Sequence, residues 1–133
     1  MARQESITDK LDLKDTGIIR GFKCATKTGD YTVTNADSFT LLVANNASTD
    51  VEFTLPTTTN AKGCVFFFAS LGAGGMTITG GTADKMVVLN EADADKIAFT
   101  TTNQKIGAAA IVICDGTNYY VFDCSAATQT VTD

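Results

Sequence analysis

The stretch IGAAAIVICDGTNYYVFDC, residues 106–124, decides the fold of this chain. An apolar run over residues 108–114 meets Asp115-Gly116, and a second apolar run follows over residues 119–122. Asp-Gly between two such runs is typical of a β-hairpin, because Gly takes the positive φ that a tight turn requires. The Asp115 carboxylate can also accept hydrogen bonds from nearby backbone amides. The stretch therefore predicts a hairpin at the centre of an all-β domain.

The incoming strand of this hairpin carries apolar side chains on both of its faces. One face holds Ala109, Ile111 and Ile113, and the other holds Ala108, Ala110, Val112 and Cys114. A half-buried strand alternates apolar and polar residues, so this pattern predicts a strand that is covered on both sides.

Length and composition indicate one packed domain. The chain has 133 residues, of which 44% are hydrophobic and 19% charged, a balance typical of a globular protein. No apolar run approaches the roughly 20 residues of a membrane span, and the N-terminus has no hydrophobic signal core, so we expect synthesis in a cytoplasm and no membrane partner. The net charge is −5, and no basic cluster is present, which argues against nucleic-acid binding.

Short apolar runs separated by turn residues follow one another about every ten residues. Val51, Phe53 and Leu55 alternate with Glu52 and Thr54, which predicts a strand with one core face and one wet face. Further strands are expected at residues 31–33, 40–44, 64–69, 76–79, 86–89 and 97–99, and an acidic loop at residues 91–95. This spacing predicts a compact antiparallel β-sandwich or a jelly-roll-like barrel.

The ends of the chain are polar and divide it into three parts. We predict an extended N-terminal arm over residues 1–20, a β domain over 21–125 and a polar C-terminal tail over 126–133. The arm has neither a helical stripe nor a long alternation, so it is either a partly ordered segment or one that orders against a partner surface. Its apolar residues are Ile7, Leu11, Leu13, Ile18 and Ile19.

Candidate catalytic and metal sites are weak. Histidine is absent, which removes Ser-His and Cys-His nucleophiles and most transition-metal sites. The four cysteines are far apart, and we expect them to be free thiols, mostly buried. The acidic residues Glu91, Asp93 and Asp95 could hold Ca²⁺ weakly, although solvated carboxylates are the default. The glycines at 72–75 lack the Lys-Ser/Thr of a phosphate loop. We therefore predict no catalytic residues, no metal and no cofactor.

Aromatic residues suggest a contact surface instead. Phe66, Phe67 and Phe68 point to alternating sides, so at least one needs cover from a second sheet or a neighbouring subunit. Tyr119 and Tyr120 also fall on opposite faces, with one of them presented outward. Tyrosine combines apolar area with a hydrogen-bonding tip, which suits an interface better than sugar stacking here.

The order and spacing of six short motifs between residues 30 and 123 resemble a β module of tailed-phage structural proteins. Such modules are found in head decoration (cement) proteins, head fibres and tail fibres. The resemblance covers about residues 30–123. The matching pieces are T-V-T at 32–34, L-L-V-x-N-N at 41–46, V-x-F-T-L-P at 51–56, G-x-V-F-F at 63–67, T-I-T-G at 77–80 and D-G-T-N-Y-Y-V at 115–121.

The resemblance implies a non-enzymatic virion component that forms a homotrimer. The small size favours a capsid decoration protein that binds the major capsid protein on the outer surface of the assembled head and stabilises it. The alternative is a small head- or tail-fibre module that binds a host surface glycan. The residues expected at the capsid or subunit interface are Ile7, Leu11, Leu13, Ile18, Ile19, Phe67, Tyr119 and Tyr120.

Overall fold

The computed structural model describes residues 21–133, which form twelve β-strands and one short 3-10 helix at Asn35–Asp37. The strands belong to two sheets. The seven-stranded sheet contains, from edge to edge, β1 (Lys23–Lys27), β3 (Thr40–Ala44), β5 (Val65–Ser70), β10 (Ala109–Cys114), β11 (Tyr119–Asp123), β7 (Met86–Val88) and β8 (Glu91–Ala94). The five-stranded sheet contains β12 (Thr130–Thr132), β9 (Lys96–Phe99), β6 (Met76–Thr79), β4 (Val51–Thr54) and β2 (Tyr31–Thr32).

The prediction of an all-β domain is confirmed, but the sheets are mixed and not antiparallel. From β1 to β6 the chain alternates between the two sheets. A strand that returns to its own sheet after two crossings runs in its original direction, so β1, β3 and β5 are parallel neighbours, and so are β2, β4 and β6. Antiparallel pairing begins with β8, which pairs with β7, and with β9, which pairs with β6. The next strand, β10, is antiparallel to β5 on one side and to β11 on the other.

The predicted hairpin is present and lies near the middle of the larger sheet. Val112 is paired with Val121, and Cys114 with Tyr119 beside the turn. Gly116 takes a φ of 96°, as the Asp-Gly turn requires. At the far end the Cys124 amide donates to the Ala109 carbonyl at 2.9 Å, so Cys114 and Cys124 lie at opposite ends of the hairpin. All four cysteines are free, as expected, but the expectation that they are mostly buried is wrong: only Cys114 is buried, while Cys64 is half-buried and Cys24 and Cys124 are exposed.

The core lies between the two sheets. In β4, Val51 and Phe53 face inward while Glu52 and Thr54 face out, as the alternation predicts. The rings of Phe53 and Phe68 meet across the two sheets with centroids 5.1 Å apart. The other large, fully buried side chains are Val33, Leu42, Leu55, Phe66, Met76, Ile78, Met86, Ile97, Phe99 and Tyr119.

Two segments that the sequence placed outside the sheets are strands. The expected acidic loop at residues 91–95 is largely β8, an edge strand that pairs with β7 through a bulge. The C-terminal tail contributes β12, which pairs with β9, so the β domain extends past residue 125. Edge strands are short and tolerate polar residues on both faces, which explains why neither segment showed an apolar alternation.

The glycines at residues 72–75 make a tight turn. A Cβ on Gly72 would overlap the backbone of Asn46, and one on Gly74 would overlap the carbonyl of Thr49. The Gly74 amide donates to the Asn46 carbonyl at 2.8 Å. These glycines are therefore needed because two backbone turns approach closely, and not as a loose connection. Within residues 21–133, no helix is long and apolar enough to cross a membrane.

Candidate functional site: the outer face of the seven-stranded sheet

The outer face of the seven-stranded sheet is apolar along three rows of residues that are in register across the strands. Together these rows are called the outer apolar face. The middle row is Cys24, Leu41, Phe67, Ile111 and Phe122. One flanking row is Val65, Ile113, Tyr120 and Val87, and the other is Thr26, Val43, Ala69 and Ala109. None of these positions carries a charge.

The outer face of the five-stranded sheet is the opposite in character. One of its rows is Thr32, Thr54, Thr79, Lys96 and Thr132, and the next is Glu52, Thr77, Ala98 and Thr130. Two of its hydroxyls are hydrogen-bonded to carboxylates: Thr77 Oγ1 donates to Asp50 Oδ2 at 2.9 Å, and Thr79 Oγ1 donates to Glu52 Oε1 at 2.8 Å. One outer surface of the domain is thus suited to water and the other is not.

The two apolar faces of β10 have different surroundings. On the inner face, Ala110, Val112 and Cys114 are buried in the core. On the outer face, Ile113 stays exposed, because the five-stranded sheet covers only one side of the larger sheet. The prediction of a strand covered on both sides is therefore wrong for residues 21–133.

Aromatic rings mark the β1 end of this face. The ring of Phe22 stacks on that of Phe67, with centroids 5.0 Å apart, and lies 6.1 Å from that of Phe39. Phe22 and Phe39 are 55% and 51% exposed, respectively. Phe67 lies where the sequence placed it, on the side of β5 that faces away from the core. Phe22 and Phe39 are thus exposed aromatic rings beside the half-buried Phe67, and adjacent exposed rings of this kind are an unusual use of large apolar side chains.

Tyr119 and Tyr120 lie on opposite faces of β11, and the expectation that Tyr119 lies at an interface is wrong. Tyr119 is fully buried, and its hydroxyl donates to the Pro56 carbonyl, so it is a core residue and does not line an interface. Burial raises the pKa of its hydroxyl. Tyr120 lies on the outer apolar face, and its hydroxyl donates to Asp115 Oδ2 at 2.9 Å. Of the two rings considered for sugar stacking, only that of Tyr120 reaches the surface.

Asp115 organises the hairpin turn beside Tyr120. Its Oδ1 accepts hydrogen bonds from the amides of Asn118 and Thr117 at 2.7 and 2.8 Å. These bonds, followed by that from Tyr120, lower the pKa of the Asp115 carboxyl. The carboxylate is therefore engaged in holding the turn, in the way that the sequence predicted.

An acidic cluster lies at the β8 edge of the seven-stranded sheet. One carboxylate oxygen from each of Glu91, Asp93 and Asp133 lies within 4.8 Å of the others. A hydrogen bond with Asp93 raises the pKa of Glu91, and the charge of Asp133 adds to the effect. Such oxygens are ligands that Ca²⁺ accepts, but exposed acidic groups commonly occur without an ion. Asp95, the third acid of the predicted loop, instead accepts a hydrogen bond from the Asp84 amide at 2.8 Å.

The buried thiol of Cys114 is poorly suited to nucleophilic chemistry. Its Sγ lies 3.3 Å from the Thr58 carbonyl oxygen, and desolvation raises the pKa of the thiol. A nucleophilic cysteine needs a lowered pKa and access to solvent. Cys114 therefore acts as a small core residue.

The remaining predicted interface residues, Ile7, Leu11, Leu13, Ile18 and Ile19, lie outside the described residues. The sequence reasoning missed Phe22, Phe39, Leu89 and Phe122, all of which are exposed. The alternation of Tyr119 to Phe122 contains the signal for Phe122, since it falls on the same side as Tyr120. No local sequence pattern indicates that Phe39 is exposed. Its position depends on the path of the chain that precedes β3.

Comparison with known proteins does not assign the chain to a family: it matches no protein-family model, and no curated protein matches it significantly.

Proposed function

We propose that this chain is a virion structural protein without enzymatic activity. It is a capsid decoration protein, which binds the major capsid protein on the outer surface of an assembled phage head and stabilises the shell. It acts as a homotrimer, and its place is the capsid surface. The motif order at residues 30–123 supports the family, and the observation that carries the proposal is the outer apolar face.

A protein that works by adhesion needs a contact surface, and the outer apolar face has the properties of one. Large contiguous apolar patches on soluble domains mark interaction sites, and interface cores are depleted of charge and enriched in aromatic residues. The outer apolar face has no charged position and includes Phe67, Tyr120 and Phe122. A domain with one water-suited face and one apolar face fits a structural component better than an isolated enzyme.

The N-terminal arm is the part assigned to the capsid. The arm is polar apart from Ile7, Leu11, Leu13, Ile18 and Ile19. An arm that orders on a partner surface gains free energy when it buries apolar side chains of this kind. Three arms on one trimer engage several capsid subunits together. Multivalent attachment of this kind gives tight binding without strong single contacts.

Binding to undecorated shells tests the proposal. We expect the full chain to sediment with shells of the phage that encodes it and to saturate in a fixed ratio to the major capsid protein. A variant with all five apolar arm residues replaced by Ser keeps the length and charge of the arm, and we expect it to fold but not to bind. Wild-type protein that never sediments with shells would contradict the function. Undiminished binding by the arm variant would contradict the role of the arm.

A further inference from the structure

Cys64 and Cys114 are far apart in the sequence, but the fold places them directly opposite each other. Val65 in β5 pairs with Ile113 in β10, so the next pair along these antiparallel strands is Cys64 and Cys114. The Cys114 amide donates to the Cys64 carbonyl at 3.1 Å, and the Gly63 amide donates to the Cys114 carbonyl at 2.8 Å. Gly63 has a φ of 82°. These bonds are those of a β-bulge in which a left-handed glycine is the extra residue, and they hold the two cysteines face to face.

Both thiols lie on the side of the seven-stranded sheet that faces the core. Cys114 is buried there, and Cys64 packs against the core from a half-buried position. Alternation along β5 agrees with this placement, because Phe66 is buried and Val65 lies on the outer face. One thiol of the pair is therefore enclosed by the domain, and the other can be reached by a small molecule in solvent.

The backbone geometry of this pair suits a disulfide. Opposed residues that share hydrogen bonds in an antiparallel pair have Cα atoms about 5.5 Å apart, and disulfides join residues whose Cα atoms are about 4.4–6.8 Å apart. The Cys114 thiol donates to the Thr58 carbonyl at 3.3 Å, so closing the pair requires that this sulfur turn toward Cys64. Cys24 pairs with Leu41, and the Cys124 amide bonds to Ala109, so neither of these cysteines faces another within residues 21–133.

We propose that Cys64 and Cys114 are a redox pair, which closes as a disulfide between β5 and β10 and stabilises the domain when the protein meets a low-molecular-weight disulfide. The half-buried Cys64 thiolate attacks one sulfur of the small disulfide, which forms a mixed disulfide and releases one small thiol. The Cys114 thiolate then attacks the Cys64 sulfur and releases the second small thiol. Two protein thiols are thereby oxidised, one small disulfide is reduced, and the two thiol protons pass to the released thiols.

The burial of Cys114 is compatible with this order of steps. Its target is the neighbouring sulfur of Cys64, so it never has to meet the small disulfide itself. Desolvation raises the pKa of the Cys114 thiol, which lowers its thiolate fraction and makes the second step the slow one.

The disulfide joins two strands in the middle of the seven-stranded sheet. It closes a loop of about 50 residues, which restricts the unfolded chain and so stabilises the fold. One consequence rests on the proposed function: a virion protein is made in a reducing cytoplasm and later released into surroundings where disulfides persist. The pair then lets the domain fold with free thiols and gain the crosslink after release.

Oxidised glutathione tests the inference on the folded full chain carrying Cys24→Ser and Cys124→Ser, which keeps Cys64 and Cys114 as its cysteines. Intact-mass spectrometry should show the loss of two hydrogens and no bound glutathione, and peptide mapping should join residue 64 to residue 114. The urea midpoint should rise after oxidation and return to its starting value with dithiothreitol.

Single replacements in the same background separate the two steps. Cys114→Ala removes the second thiol and keeps a small apolar side chain, so this variant should stop at the mixed disulfide with one glutathione on Cys64. Cys64→Ser should take up no glutathione while folded, because Cys114 is buried. The urea midpoint of neither variant should rise on oxidation.

Three outcomes would overturn the inference. The first is a pair of free thiols that persists after glutathione has fully modified the exposed Cys24 of the wild-type protein. The second is glutathione on both Cys64 and Cys114, or a disulfide between two chains, because either result means that the two sulfurs do not reach each other. The third is a crosslink that leaves the urea midpoint unchanged or lowers it. None of these measurements involves shells, so the capsid function is tested separately by shell binding.

Discussion

Tyr119 and Tyr120 are adjacent in sequence, and the pleat of β11 gives them different roles. Tyr119 extends from the seven-stranded sheet toward the end of β4, where its hydroxyl donates to the Pro56 carbonyl. Tyr120 faces outward and contacts the turn through Asp115. A period of two along a strand fixes this separation as soon as the register is known.

Tyr119→Phe should lower the free energy of unfolding by about 1 kcal/mol, because a hydrogen bond between the two sheets is lost while the packing of the ring is kept. Tyr120→Phe is the matched control and should stay within about 0.5 kcal/mol of wild type. Urea denaturation measures both. A larger loss for Tyr120→Phe than for Tyr119→Phe would contradict the assignment of Tyr119 to the core.

Asp115 gives the hairpin turn a pH dependence with a defined sign. Hydrogen bonds to the carboxylate lower its pKa in the folded state, so its contribution is present above the unfolded pKa and is lost as pH falls through the folded pKa. Asp115→Ala should therefore lower the urea midpoint at pH 7, and the difference from wild type should narrow below about pH 4. Asp115→Asn keeps one acceptor oxygen and should lower the midpoint less. An Asp115→Ala difference of the same size at pH 7 and pH 3 would contradict this account.

At the scale of the elements, the turn at residues 72–75 depends on the turn at residues 46–49. Gly74→Ala should destabilise the domain by more than about 1 kcal/mol, since its Cβ would overlap the Thr49 carbonyl and the backbone would have to shift. Gly29→Ala is the control, because no atom lies within 4 Å of its added Cβ. It should be neutral or slightly stabilising. Equal urea midpoints for the two variants would show that the two turns are not in close contact.

Local signals predicted the elements that depend on local sequence. The Asp-Gly turn, the alternation at residues 51–55 and the apolar run at residues 64–69 each identified a strand correctly. Parallel pairing was not predictable, because β3 and β5 become neighbours only after the chain has crossed to the other sheet and back. The polar edge strands β8 and β12 carry no apolar stripe, so their pairing partners alone make them strands.

Part of the candidate site was also predictable, because alternation along a strand is a local signal. Apolar residues on both faces of β10 predicted two covers. Alternation put Phe67 on the side opposite to Phe66 and Phe68, and it put one of Tyr119 and Tyr120 outward without deciding which. That the second cover is missing from residues 21–133 is a property of the whole domain. The sequence of a strand shows that one of its faces is apolar. It does not show which chain, if any, covers that face.

At the scale of the whole molecule, the two outer surfaces differ in how they interact with water. The threonine-rich face of the five-stranded sheet can remain hydrated, whereas the outer apolar face gains free energy when it is covered. In the proposed function, the N-terminal arms bind the capsid and the polar face of the five-stranded sheet stays in solvent.

The number of copies per purified virion tests the central claim most directly, and quantitative mass spectrometry against the major capsid protein measures it. A decoration protein that binds a repeating lattice should be present at hundreds of copies, on the order that multivalent lattice binding implies, in a fixed ratio to the capsid protein. A handful of copies per particle would indicate a fibre module instead, and absence from the virion would contradict the account altogether.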